Sequence, residues 1–263
     1  MMKHVSIFAC AAALALSPIA ALAQTAQEKG FAIAQKSDLS DKGFGKSSVQ
    51  VTMTLTNRAG ARTTREMQID TLEKSGRGNG DRSLIQFFSP GDVDGTALLS
   101  HAKIQKADDQ WLFLPSLSRV KRISSANKSG PFVGSEFSFE DLTISELGKF
   151  DYRYLETKTV DGMQMDILEC IPAYNRSGYS RVLCHFDTQH NQARKFEFYD
   201  RGGQRLKTLT LTNYKRYGSI WRPQKQTMVN HLTGKTTTLD FGAFDFNARL
   251  RGNDFEPSAL ERL

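Results

Sequence analysis

Hydrophobic and polar residues alternate along most of this chain with a period of two. Over 48–56, Val49, Val51, Met53 and Leu55 share one face, while Gln50, Thr52, Thr54 and Thr56 share the other. Such alternation predicts an antiparallel strand with one face buried. Similar stretches recur at 65–72, 83–89, 96–100 and 110–114, and again from 152 onward through 236–241. Turn residues separate them: Pro90-Gly91-Asp92, Asp161-Gly162, Asn175-Arg176-Ser177-Gly178, Asp200-Arg201-Gly202-Gly203 and Thr233-Gly234-Lys235. Asp-Gly between alternating runs is a strong hairpin signal. About ten strands at hairpin-like intervals predict one large antiparallel sheet, curled or closed.

Two regions depart from this rhythm. Residues 25–35 place Ala26, Phe31, Ile33 and Ala34 at helical intervals, which predicts a short helix despite Gly30 in its middle. Residues 115–148 carry no alternation. They run from Leu117 and a basic cluster, Arg119, Lys121 and Arg122, through a polar stretch to Phe132, Phe137, Phe139 and Leu142. So long an interruption between strand blocks points to a functional lid. Residues 254–260 read as a docked final turn.

The N-terminus changes the setting. Lys3 and His4 precede an apolar run that is broken by Ser17-Pro18 and ends in Ala21-Leu22-Ala23. A basic lead, an apolar middle and a small-x-small end describe a secretory signal removed after Ala23. The alternative is a membrane anchor, but the run is near the minimum for a span and Pro18 sits inside it. Residues 24–263 are then expected to form a single soluble domain, with 115–148 as a lid-like insertion. The net charge of +7 suits anionic membrane surfaces or acidic partners better than nucleic acid in an exported protein.

Export also bears on the cysteines. Cys170 and Cys184 lie in strand-like runs, 166–171 and 180–186, and the turn at 175–178 is centred so that they are expected to face one another across a hairpin. An oxidising compartment permits a bridge between them, and two buried free thiols are the alternative.

Candidate chemistry is sparse. There is no zinc-ligand spacing, and His185 and His190 flank a turn with no third ligand in sight. Gly43-Phe44-Gly45-Lys46-Ser47 lacks the early glycine and preceding strand of a phosphate loop. Neither a nucleophile elbow nor a cysteine nucleophile motif is present. The expectation is a protein that is not an enzyme and needs no cofactor or metal. What the sequence has instead is apolar bulk. Met53, Phe87, Trp111, Phe113, Met165, Phe196, Phe198 and Leu209 are candidates to line a cavity, since one short helix covers little of a curled sheet. An ordinary filled core is the alternative. Phe132, Phe137, Phe139 and Leu142 are the candidate lid. Arg119, Lys121 and Arg122 are candidates to meet lipid headgroups or a partner, or else a solvated strand edge kept from aggregating by charge.

From Ser83 onward the sequence resembles the LolA-like family of outer-membrane lipoprotein-sorting proteins. The resemblance is carried by Asp94-Gly95-Thr96-Ala97-Leu98-Leu99, by Asp109-Gln110-Trp111-Leu112-Phe113-Leu114-Pro115 and by Arg119-Val120-Lys121-Arg122-Ile123-Ser124-Ser125. Gly134-Ser135-Glu136-Phe137-Ser138-Phe139-Glu140-Asp141-Leu142 and Tyr199-Asp200-Arg201-Gly202-Gly203 continue it. The cysteine pair is not part of that pattern. The resemblance implies a mainly β fold, an unclosed antiparallel β-barrel around an apolar cavity with short lid helices. It also implies a periplasmic carrier, acting as a monomer, that moves a lipid or lipoprotein acyl chain between membranes. An RND-type (MMPL-like) inner-membrane exporter is the implied partner. A non-carrying accessory subunit of such an exporter is the alternative.

Overall fold

Thirteen strands hydrogen-bond into one antiparallel sheet in the computed structural model, which describes residues 24–74, 79–143 and 146–263. The leader expected at 1–23 lies outside the described residues. The first meander contains β1 (Lys46–Thr56), β2 (Arg62–Leu72), β3 (Asn79–Ser89), β4 (Ala97–Lys103), β5 (Asp109–Leu114) and β6 (Arg119–Arg122). The second contains β7 (Phe150–Val160), β8 (Met163–Pro172), β9 (Tyr179–Asp187), β10 (Ala193–Asp200), β11 (Arg205–Tyr217), β12 (Ile220–Asn230) and β13 (Thr236–Phe241). Their spatial order is β6-β5-β4-β3-β2-β1-β13-β12-β11-β10-β9-β8-β7, so the meanders join at β1 and β13 and the sheet stays unclosed.

That order explains the long interruption in the sequence. β6 and β7 are consecutive in the chain but sit at opposite edges of the sheet. A hairpin cannot join them. Residues 123–149 therefore cross from one edge to the other, through short 3-10 turns at Ser125–Asn127, Phe132–Gly134, Asp141–Thr143 and Leu147–Lys149.

Alternation selects the inner face. Val49 pairs with Ile69, Ile69 with Ile85, Ile85 with Leu98 and Leu98 with Leu112. A second inner row runs Leu168, Cys184, Phe196, Leu209 and Met228. These residues belong to the main hydrophobic cluster. Burying a side chain of this size contributes roughly 1.5–3 kcal/mol. The outer face over the central strands is polar, with Thr64, Thr54, Thr238, Thr227 and Thr210 in one register row. β-branched hydroxyl residues suit a half-solvated pleat. Over β3–β6 the outer face is instead covered by the C-terminal turns, where Phe255 and Leu260 pack on Leu84, Ala97 and Leu99.

The helix α1 spans Ala26–Leu39. It is opened by a capping box in which the Thr25 hydroxyl accepts from the Glu28 N–H and the Glu28 carboxylate accepts from the Thr25 N–H. Gly30 lets it lie flat on β7: a Cβ there would stand 2.7 Å from the Tyr154 nitrogen. Ile33 and Ala34 face inward.

Several expectations are corrected. Among the described residues the strands number thirteen, not about ten, in part because β6 is a short charged edge strand within 115–148, where Arg119, Lys121 and Arg122 hide the alternation. α1 runs past residue 35 to Leu39, because Lys36, Ser37 and Asp38 supply helix without apolar periodicity. Asp161-Gly162 does form the β7–β8 hairpin, with φ of 49° and 79° at the two positions.

Candidate functional site

The crossover and α1 together roof the inner face, but they do not fill it. A cavity of about 370 Å³ remains, within the size range of small-molecule sites. Phe186, Phe196, Leu209, Leu211 and Leu239 form one wall, and Val49, Ile69 and Ile85 another. Ala34 of α1 and Phe137 and Leu142 of the crossover roof it. Its polar residues include Asp38, Asp41, Lys42, Asp81, Glu146 and Arg222.

The roof is held by buried charge. Asp141 of the crossover lies 2.5 Å from Lys207 on β11. Its two oxygens also accept from the Tyr179 hydroxyl at 2.6 Å and from the Ser138 N–H at 2.7 Å. Asp108, just before β5, pairs with Lys149 at 2.6 Å and accepts from the Thr143 hydroxyl. Glu140 accepts from the Gly178 N–H at 2.9 Å and from the hydroxyls of Tyr174 and Ser177. Burial and the neighbouring Asp141 push the Tyr179 hydroxyl well above the ordinary phenol range, so it stays a donor. Charged hydrogen bonds satisfied on every side rigidify the segment they anchor. The crossover is therefore a clamped strap across the sheet.

α1 is attached differently. Along its length it rests on β7, where Lys29 sits 3.4 Å from the centre of the Tyr154 ring. At its C-terminal end, Gln192 donates from Nε2 to the Ser40 hydroxyl at 2.8 Å, and Arg222 of β12 pairs with Asp41. The Arg222 guanidinium is surrounded by the rings of Phe44, Phe244 and Phe246, at 4.8, 5.8 and 5.9 Å. Burial lowers its pKa to about 10, which leaves it charged at neutral pH. A second polar group gathers round Lys42. Burial opposes its charge, but Asp38, Asp81 and Glu146 outweigh burial and hold its pKa above the usual value. Asp81 itself is pushed up to about 6, first by burial and then by the Glu146 carboxylate, against the pull of the Lys74 N–H and of Lys42.

The residues singled out from the sequence fall into three groups. Phe196, Leu209, Phe137 and Leu142 line the cavity. Met53, Phe87 and Phe198 lie on the inner face within closed packing, and Phe132 and Phe139 pack there too, with Phe132 5.8 Å from Phe87 and 5.7 Å from Phe139. Trp111, Phe113 and Met165 are corrected to the outer face. The pairing of Leu98 with Leu112 fixes the phase of β5, so Leu112 turns inward while Trp111 and Phe113 join the C-terminal cluster. On β8, Leu168 and Cys170 take the inward phase, which leaves Met165 out. Arg119, Lys121 and Arg122 are exposed on β6, where Arg122 pairs with Asp109.

Cys170 and Cys184 form a disulfide, with Cα atoms 6.6 Å apart. They are not directly opposite: Cys184 pairs with Leu168 and Cys170 with Val182, so the bridge is diagonal across β8–β9. Cys184 also borders the cavity.

Arg222 and Lys207, absent from the residues expected at the site, carry a signal in the sequence. Lys207 shares its phase with Leu209 and Leu211, and Arg222 shares its phase with Gln226 and Met228. A charge in the buried phase of a strand is the signal that finds both. Among the described residues, no group of three or more His, Cys, Asp or Glu side chains is placed to hold a metal ion, and no helix is long and apolar enough to cross a membrane.

A family model described only as an uncharacterized protein matches residues 79–262. No curated protein matches. Among solved structures, an outer membrane lipoprotein-sorting protein domain from Vibrio parahaemolyticus is 44% identical, with a TM-score of 0.86, covering 90% of this chain and all of its own. A DUF1329 family protein from Desulfovibrio piger is 27% identical, with a TM-score of 0.84, covering 90% of this chain and 99% of its own. A LolA superfamily protein from Nitrosomonas europaea, 24% identical with a TM-score of 0.69 over 88% of this chain and 97% of its own, shares the fold. An unclosed antiparallel sheet roofed by a helix and a crossover gives this chain the fold of the LolA superfamily protein, and 44% identity along the whole of a sorting domain places it in the family of outer-membrane lipoprotein-sorting protein domains.

Proposed function

We propose that this protein is an exported periplasmic carrier that shelters the acyl chain of a lipid or lipoprotein and moves it between membranes, with an RND-type exporter as its inner-membrane partner. The observation that carries this reading is the cavity of about 370 Å³ left between the inner face and its roof. A hydrocarbon gains roughly 0.8 kcal/mol per methylene on leaving water, so a chain of about fourteen gains on the order of 11 kcal/mol. A bilayer offers nearly the same. A carrier therefore holds its cargo about as well as a membrane does, and release turns on opening the roof. Residues 24–263 act as one carrier domain in this reading, and the exported form lacks 1–23. Arg119, Lys121 and Arg122 on the free edge strand β6 meet anionic headgroups or an acidic partner surface. Charge reversal at Arg119 and Lys121 weakens binding to anionic vesicles, with a salt dependence to match.

The test is native mass spectrometry of the protein purified from its own periplasm. A carrier co-purifies with lipid, and the stripped protein extracts lipid from vesicles, an activity that Phe137→Asp abolishes by placing a charge in the roof. A protein that is empty as isolated and takes up no lipid is instead a non-carrying accessory subunit.

A further inference from the structure

The cavity is not uniformly greasy. Arg222 is on its wall, 12% exposed at the side chain, and its ion-pair partner Asp41 is 42% exposed on the turn after α1. The two halves of this pair belong to different parts. Arg222 is fixed in β12, where it pairs with Lys215 of β11, and it is held by Phe244 and Phe246 as well as by Phe44, which follows Asp41 in the chain. Asp41 lies between a helix end held side chain to side chain, through Ser40 and Gln192, and Gly43 and Gly45, whose N–H groups donate to the Glu73 carboxylate and pin the chain beyond it. Lifting that end to admit a guest takes Asp41 away and leaves a charged guanidinium in an apolar site without a counter-ion. An unpaired buried charge is strongly unfavourable, and an entering anion removes the penalty. A guanidinium matches a carboxylate or phosphate through paired N–H donors. Of the other carboxylates at the cavity, Asp38, Asp81 and Glu146 are gathered round Lys42, and Asp141 is paired with Lys207.

We propose that Arg222 is the headgroup receptor of this cavity, and that the cargo is a single-chain amphiphile whose anionic head, a carboxylate or a phosphate, takes the place of Asp41. The proposal rests on the acyl-chain reading of the cavity and names the head that the chain carries. Asp41 is then a built-in competitor that keeps the empty protein closed.

The test uses the lipid-stripped protein and displacement of a neutral apolar dye, N-phenyl-1-naphthylamine. The competitors are palmitate, palmitoyl lysophosphatidate, hexadecanol and inorganic phosphate. Palmitate, lysophosphatidate or both displace the dye at concentrations about tenfold lower than hexadecanol, a difference of about 1.4 kcal/mol, and their order tells carboxylate from phosphate. Inorganic phosphate alone displaces nothing. Arg222→Gln narrows the preference to within about twofold while hexadecanol still binds, and Asp41→Asn tightens the anionic ligands alone. Equal binding of palmitate, lysophosphatidate and hexadecanol by the unaltered protein overturns the proposal and spares the acyl-chain reading. So does a preference that survives Arg222→Gln, or competition by phosphate alone. Failure of every chain to displace the dye overturns both.

Discussion

Asp141 and Lys207 meet 2.5 Å apart with almost no solvent access to either side chain, and they tie the crossover to the middle of the second meander. Removing one partner of such a pair leaves the other charge buried alone. Lys207→Met is expected to cost about 3–5 kcal/mol, and Lys207→Met with Asp141→Leu to cost clearly less. Urea unfolding of the two variants checks this. Equal losses in both would mean that packing, not charge, holds the strap down.

Asp81 carries a pH dependence of known sign. Its folded pKa, about 6, lies above the ordinary aspartate value of 3.8. The folded state therefore binds the proton more tightly, and stability from this group rises as pH falls from above 6 to below 4. At neutral pH the charged form costs on the order of 3 kcal/mol. Asp81→Asn should raise the melting temperature at pH 7 and lose that advantage at pH 4. A gain that is independent of pH would place the effect elsewhere.

Leu211 borders the open volume, so there is room beyond it. Enlarging a residue in a filled core usually costs about 1–3 kcal/mol. Leu211→Trp should largely escape that cost by growing into the void, and should reduce lipid uptake at least about tenfold. Thermal unfolding and vesicle extraction, measured on the same preparation, separate the two effects. Normal uptake by a stable variant would sink the cavity as the binding site.

Gly30 sets how closely α1 lies on β7. In an isolated helix, Gly→Ala stabilises by roughly 1 kcal/mol. Here the added Cβ would stand 2.7 Å from the Tyr154 nitrogen and 3.0 Å from the Arg153 backbone, atoms that cannot rotate away. Gly30→Ala should therefore destabilise, by about 1–3 kcal/mol, and speed dye entry by lifting the helix. A stabilised variant would show that α1 is seated more loosely than this.

Much of the fold was readable from period-two alternation, because a sheet with one buried face writes its phase into every strand. β1 is the clearest case: Val49, Val51, Met53 and Leu55 all face inward. The same rule places Leu112 inward, whereas the size of Trp111 and Phe113 points the opposite way. The C-terminal turns make the outer face of β5 apolar as well, so bulk alone does not tell the two faces apart. The crossover was legible as an anomaly but not as a clamped strap. Its anchors, Asp141 to Lys207 and Asp108 to Lys149, are separated by 66 and 41 positions and become neighbours only once the sheet has curled. The diagonal offset of Cys170 and Cys184 depends on register across a six-residue turn, which composition does not set.

An interior left partly vacant makes the molecule a gauge of its own loading. Any guest that enters the folded form and ignores the unfolded chain adds to the free energy of unfolding, about 2.7 kcal/mol when present at a hundred times its Kd. Heat resistance in this protein is thus expected to track occupancy, with the vacant form melting first and each well-fitted tenant delaying the transition according to how completely it fills the space beside Leu209 and Phe196.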